Sequence, residues 1–221
     1  MSVLSNDTCE WLREVLRRLS EGDGVSVVRA GGERVLRIEW LNLYNEPAIL
    51  RAVADAIVED ARSSGISYDA VASIETSGAK YGIAVSLRSG VPYFSIHKVE
   101  KVIFEDPIGM DGESVTEARP SRLFLDRSTA RRYPRVLLVD DIVRSSRTAE
   151  AASRLLRAAG SEVVGCYSVL DLMFAGGRST SPCRSLIVVD HVDDHGRVHI
   201  SGGLAPALAA SCGKAKIEEG E

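Results

Sequence analysis

Apolar and polar positions alternate with two different periods along this chain. Residues 8–19 place Trp11, Leu12, Val15, Leu16 and Leu19 on one face of a helix. Residues 45–63 do the same with Ile49, Ala52, Val53, Ala56 and Ile57, with Pro47 in the first turn and Gly65 just past the end. Residues 148–159 predict a third helix, closed by Gly160. Between these lie short runs suited to strands: 25–29 and 34–40, joined through Ala30-Gly31-Gly32-Glu33 as a hairpin, then 70–75, 93–96, 136–139, 163–169 and 185–189. The continuous apolar runs at 70–74 and 136–139 fit strands buried on both faces of a parallel sheet. Strands alternating with helices predict an α/β fold, mainly parallel.

The densest chemistry is at residues 135–148. The apolar strand ends in Asp140 and Asp141, a loop of Arg144, Ser145, Ser146 and Arg147 follows, and a helix opens at Thr148. Ligands of open α/β sheets gather beyond the carboxyl ends of the strands. Neighbouring strand residues face opposite ways, so both carboxylates reach one ligand only if the chain bends there. The loop supplies free N–H groups, hydroxyls and two guanidinium groups at a helix N-terminus, all suited to an anion. A phosphate together with a diol, as in a phosphorylated sugar, fits this set. The alternative is an ordinary strand–loop–helix corner with Thr148 as N-cap and solvated aspartates.

These residues resemble the phosphoribosyl-pyrophosphate (PRPP) signature of the type I phosphoribosyltransferases. In that family an apolar strand ends in two acidic residues before a small Thr/Ser/Gly loop. Arg144 stands where the family usually has a small residue, Ser146 where it usually has glycine, and Arg147 where a second glycine is frequent. Residues 70–98 resemble the adenine and xanthine members. Glu75 ends a strand, and Thr76-Ser77-Gly78-Ala79-Lys80-Tyr81-Gly82 follows as a loop before an apolar helix over 83–87. Gly90-Val91-Pro92 then turns into a strand ending in His97-Lys98. Ser77 replaces an arginine found in many adenine enzymes.

The resemblance implies the type I phosphoribosyltransferase fold: a central, mainly parallel sheet flanked by helices, with a small hood and a flexible loop. It implies one domain over 1–221, with about 1–45 and 190–221 as hood or periphery and about 99–122 as the flexible loop. The stretch 99–122 shows no sustained period, and a lid and a hairpin over 101–125 are both compatible with it. The implied reaction moves 5-phosphoribosyl from PRPP to a nucleobase, adenine first, and releases pyrophosphate. Asp140 and Asp141 would then hold the ribose hydroxyls, directly or through Mg²⁺. Arg144, Ser145, Ser146, Arg147 and Thr148 would hold the 5′-phosphate. Ser77, Gly78, Ala79, Lys80 and Lys98 would hold pyrophosphate. The Arg-Ser-Ser-Arg loop also supports a second class, a non-catalytic PRPP- or nucleotide-sensing regulator on the same fold.

Composition narrows the setting. The chain has 221 residues, 45% of them hydrophobic and 26% charged, which suits one globular domain. A net charge of −4 argues against a nucleic-acid footprint. No apolar run has membrane-spanning length and no signal-peptide pattern opens the chain, so a cytoplasmic protein is expected. The resemblance adds a homodimer. Cys9, Cys166, Cys183 and Cys212 lack C-x-x-C spacing and are expected as free thiols, an oxidised pair remaining open. Trp40, Tyr44 and Phe104 are the aromatic candidates for stacking on a base, with core packing favoured for Trp40. The Asp190–His195 stretch is expected as a solvated turn, not a metal cluster. His97 fits a core, edge or ligand role.

Overall fold

The computed structural model describes residues 4–30, 33–112, 121–144, 147–173, 183–193 and 195–212. In chain order it shows helix α1 (Asn6–Glu21), strands β1 (Val25–Ala30) and β2 (Glu33–Ile38), a π-helical turn (Glu39–Leu43), α2 (Pro47–Ser63), β3 (Ala70–Ile74), α3 (Ser77–Ser89) and β4 (Tyr93–Ile96). There follow β5 (Pro107–Gly112), β6 (Ser121–Asp126), the short α4 (Arg127–Ala130), β7 (Arg135–Val143), α5 (Arg147–Ala159), β8 (Glu162–Leu172), β9 (Arg184–Val192), β10 (Val198–Gly202) and α6 (Leu204–Ser211). The central sheet has six strands in the order β10-β9-β8-β7-β3-β4. All its pairings are parallel except β10 on β9. This is the α/β arrangement that the alternating pattern predicts.

Strand alternation divides the core in two. Val71, Leu137, Val139, Tyr167 and Val169 pack with α1, α2 and α3. Ala72, Ile74, Val136, Leu138 and Cys166 pack on the opposite face with α5 and the β5–β6 hairpin. Both faces of β3 are therefore covered, which explains its unbroken apolar run.

Local signals hold the elements in place. Ser5 caps α1 by accepting a hydrogen bond from the Thr8 N–H, and Gly22 closes the helix at φ 78°. Pro47 opens α2, as expected. Residues 107–112 and 121–126 pair as an antiparallel hairpin, so the hairpin reading holds for these strands. The tip at 113–120 lies outside the described residues, as does the polar tail after 212.

Two expectations are corrected. The strand expected over 34–40 ends at Ile38, and Trp40 lies in the π-helical turn. The four cysteines are not free thiols: Cys9 is bonded to Cys212 and Cys166 to Cys183. Spacing hid both pairs. Cys166 and Cys183 become neighbours only when β8 and β9 align Tyr167 with Arg184, and Cys9 meets Cys212 only through the packing of α1 on α6.

Candidate functional site

The site begins where β3 gives way to α3. The Glu75–Thr76 peptide is cis, and the helix starts at Ser77. The expected loop through Gly82 is thus mostly helix, which starts six residues earlier than the apolar pattern suggested. The glycines that read as loop are contact points. Gly78 and Gly82 lie one turn apart on the same helix face. A Cβ on Gly78 would sit 2.6 Å from Asp140 Oδ1 and 3.3 Å from Asp140 Cα. One on Gly82 would sit 2.0 Å from Ser73 Oγ and 2.8 Å from the Tyr93 ring. Glycine lets α3 lie directly on β3 and β7.

Asp140 and Asp141 lie within β7, before its last two residues. Val139 and Ile142 pack against the same core although they are three apart, so the strict alternation slips across the acid pair. The slip brings the two carboxyl groups together. Asp140 Oδ1 accepts the Asp141 N–H at 3.0 Å, and the two carboxyl groups interact electrostatically. Burial pushes the Asp140 carboxyl well above the ordinary carboxylate range, and the Asp141 charge pushes it further. Lys98 opposes both.

Beyond the pair, Val143 ends the strand and Arg144 forms a bend. Ser145 and Ser146 lie outside the described residues. Helix α5 begins at Arg147, one residue before the expected N-cap Thr148, which is half-buried in the first turn. Arg144 is half-buried and Arg147 exposed. The first turns of α3 and α5 thus follow strands that pair directly, β3 and β7.

Ser77 and Ala79 are half-buried in the first turn of α3, around the buried Gly78. Lys80 donates to the Leu41 carbonyl in the π-helical turn. Burial lowers its pKa, while Asp141 acts in the opposite sense. The structure therefore brings Gly78, Lys80 and Lys98 towards the acid pair. It also gathers a second cluster beside the sheet end. Glu75 Oε2 meets His97 Nδ1 at 2.7 Å and Lys101 Nζ at 3.9 Å, and the Phe104 ring lies 5.3 Å from the His97 ring. Glu75 and His97 each lie one residue beyond adjacent parallel strands whose last pair is Ile74 with Ile96. That register is a tertiary fact, which the strand-end pattern only suggests.

Of the aromatic candidates, Trp40 is 2% exposed and its indole N–H donates to the Asp23 carbonyl at 3.0 Å, so it serves packing. Tyr44 is 48% exposed and Phe104 half-buried. In the Asp190–His195 stretch, Asp193 accepts the N–H groups of His195 and Arg197, as a turn carboxylate does. Among the described residues no group of three or more His, Cys, Asp or Glu side chains is placed to hold a metal ion. No helix among them is long and apolar enough to cross a membrane.

The model of the phosphoribosyl transferase domain matches residues 39–197, from the π-helical turn to the end of the parallel sheet. This chain belongs to the phosphoribosyltransferase family. Its similarity to purine members is direct. The adenine phosphoribosyltransferase of Clavibacter sepedonicus is 36% identical over 134 residues, which span 59% of this chain and 64% of that enzyme. That of Nitrosospira multiformis is 35% identical over 147 residues, 66% of this chain and 81% of the relative. A xanthine phosphoribosyltransferase from Exiguobacterium is 27% identical over 152 residues, 68% and 78% respectively. In fold, the adenine phosphoribosyltransferase of Rhodothermus marinus superposes with a TM-score of 0.63 at 21% identity, covering 84% of this chain and 100% of that one. The phosphoribosyltransferase sheet and its helices are therefore those described above.

Proposed function

We propose that this chain is a purine phosphoribosyltransferase that transfers 5-phosphoribosyl from PRPP to a nucleobase, with adenine as the first choice. The observation that carries this reading is the acid pair of β7 packed against the glycine that opens α3, beside the start of α5. In the reaction a base nitrogen bonds to the anomeric carbon as the bond to pyrophosphate oxygen breaks, and the base gives up its N–H proton. The transition state has oxocarbenium character, so positioning and charge outweigh a dedicated nucleophile.

Each residue then has a task. Asp140 and Asp141 hold the ribose hydroxyls and stabilise positive charge on the ring. Arg144, Arg147 and Thr148, with Ser145 and Ser146, bind the 5′-phosphate at the start of α5. Ser77, Gly78, Ala79 and Lys80 bind pyrophosphate at the start of α3, with Lys98 adding charge. The donor set fits Mg²⁺. Two adjoining carboxylates, one of them with its charge disfavoured by burial, need a cation, and Mg²⁺ takes one or two carboxylates plus phosphate oxygens. Bound there by Asp140 and Asp141, it would neutralise the diphosphate. The reading takes residues 1–221 as one domain, a homodimer in the cytoplasm, acting on PRPP and a base.

The test is pyrophosphate release from PRPP and Mg²⁺ with adenine, hypoxanthine, guanine, xanthine, uracil and orotate in turn. Release with adenine supports the full reading, and release with another purine corrects the base. Asp140→Asn with Asp141→Asn abolishes turnover in a folded protein; wild-type turnover in that double variant sinks the assignment. Arg144 and Arg147, in place of small residues, favour a second reading as a PRPP- or nucleotide-sensing regulator. PRPP binding without release from any base would select it.

A further inference from the structure

Lys80 stands one turn into α3, yet its ammonium is held by the Leu41 carbonyl, 39 residues earlier in the chain. Leu41 is fully buried in the turn Glu39–Leu43. That turn is closed by the Tyr44 N–H donating to the Glu39 carbonyl at 3.1 Å. Carbonyls late in so short a helical turn have no partner within it, and Lys80 supplies one to Leu41. Two and three residues after Leu41 the chain is at the surface: Leu43 is 61% and Tyr44 48% exposed. The same ammonium acts electrostatically on Asp141. One side chain on α3 therefore contacts the turn Glu39–Leu43 and feels the charge of the acid pair.

Long side chains on a helix lean towards its N-terminus. The Lys80 ammonium also lies 5.4 Å from the centroid of the Tyr81 ring, and the N–H groups that open α3 at Ser77 are one turn away along its own helix. An ammonium has three donors, and Leu41 takes one. An anion at the mouth of α3 can share the ammonium without displacing Leu41.

We propose that Lys80 couples the base hood to the phosphate site. An anion bound at the start of α3 fixes the ammonium, and the fixed ammonium orders the turn Glu39–Leu43 and the exposed Leu43 and Tyr44 beyond it. Anion binding then tightens base binding, and by linkage the base tightens the anion equally. Lys80 is in this respect a positioning residue, and the inference rests on the catalytic reading above.

The experiment measures adenine affinity by calorimetry with Mg²⁺, in the presence and absence of inorganic pyrophosphate. In the wild-type protein pyrophosphate is expected to tighten adenine roughly 5-fold or more. Lys80→Met, at pyrophosphate concentrations that direct titration shows to saturate it, is expected to bind adenine equally with and without pyrophosphate, and Lys80→Arg to keep part of the effect. Equal affinities in the wild type, or full coupling in Lys80→Met, overturn the proposal while independent binding of each ligand leaves the catalytic reading standing. Binding of neither ligand overturns both. Should Lys80→Met fail to melt cooperatively, hydrogen exchange over residues 39–44 of the wild type decides: pyrophosphate slows it if the coupling exists, and unchanged exchange rejects it.

Discussion

The corners β3–α3 and β7–α5 perform the same topological task with opposite means. In the first, the helix begins at Ser77, three residues after the last strand residue, and is pressed onto the sheet through Gly78 and Gly82. Its shape is set by steric contact. In the second, the strand runs on past its carboxylates and turns through Arg144 into a helix whose first turn holds Arg147 and Thr148, with no glycine from 140 to 148. There the distinctive side chains are charged. A steric corner fixes where the acid pair stands, and a charged corner sets what it meets. The two should fail differently when altered.

Gly78→Ala breaks the steric corner most severely. Its methyl would occupy a point 2.6 Å from Asp140 Oδ1, and moving a reacting group by about 1 Å costs about 100-fold in rate. Steady-state turnover with PRPP and the preferred base checks this; near-normal kcat would show that the contact does not position Asp140. Gly82→Ala affects the same corner without touching the carboxylates. Crowding Ser73 and the Tyr93 ring should cost about 1–3 kcal/mol of stability, read from urea unfolding, with turnover per folded molecule largely kept. Ser73→Ala in that background should restore part of the loss.

The charged corner should respond in binding. Arg144→Ala is expected to raise the KM for PRPP about tenfold with kcat unchanged, near the low end for one charge-assisted hydrogen bond. A fall in KM would mean that this arginine obstructs the phosphate, and would reverse the contrast between the corners.

The smallest effect concerns stability. The Asp140 carboxyl is held above its ordinary range by burial and by Asp141. The folded state therefore binds a proton that the unfolded state releases, and stability falls as pH rises from about 4, the unfolded value. Asp140→Asn removes that penalty. It should raise the melting temperature at pH 7–8, at about 2–4 °C per kcal/mol for a chain this size, and the gain should vanish near pH 4. Melting curves across that range decide it; a gain independent of pH would assign the effect to packing instead.

Much of this was legible because period and punctuation are local. The parallel strands, the helix opened by Pro47 and the acid pair all follow from residues near one another. The start of α3 was not, because its glycines answer to Asp140, Ser73 and Tyr93 on other strands. Trp40 read as strand because its burial comes from the hydrogen bond to Asp23 and the packing of the turn. The Lys80–Leu41 and Glu75–His97 pairs depend on register and on helix placement, which no spacing encodes. Family resemblance supplied the candidate list at both corners, and the structure supplied which members of it meet.

The bond between Cys9 and Cys212 joins α1 to the chain just beyond α6, with a sequence separation of 203. Nearly the whole chain is thereby a covalent ring. A protease that cuts once between Cys9 and Cys212 produces two fragments that stay tethered and migrate as one species. Only a reductant releases them, so gels run with and without thiol would report the ring directly.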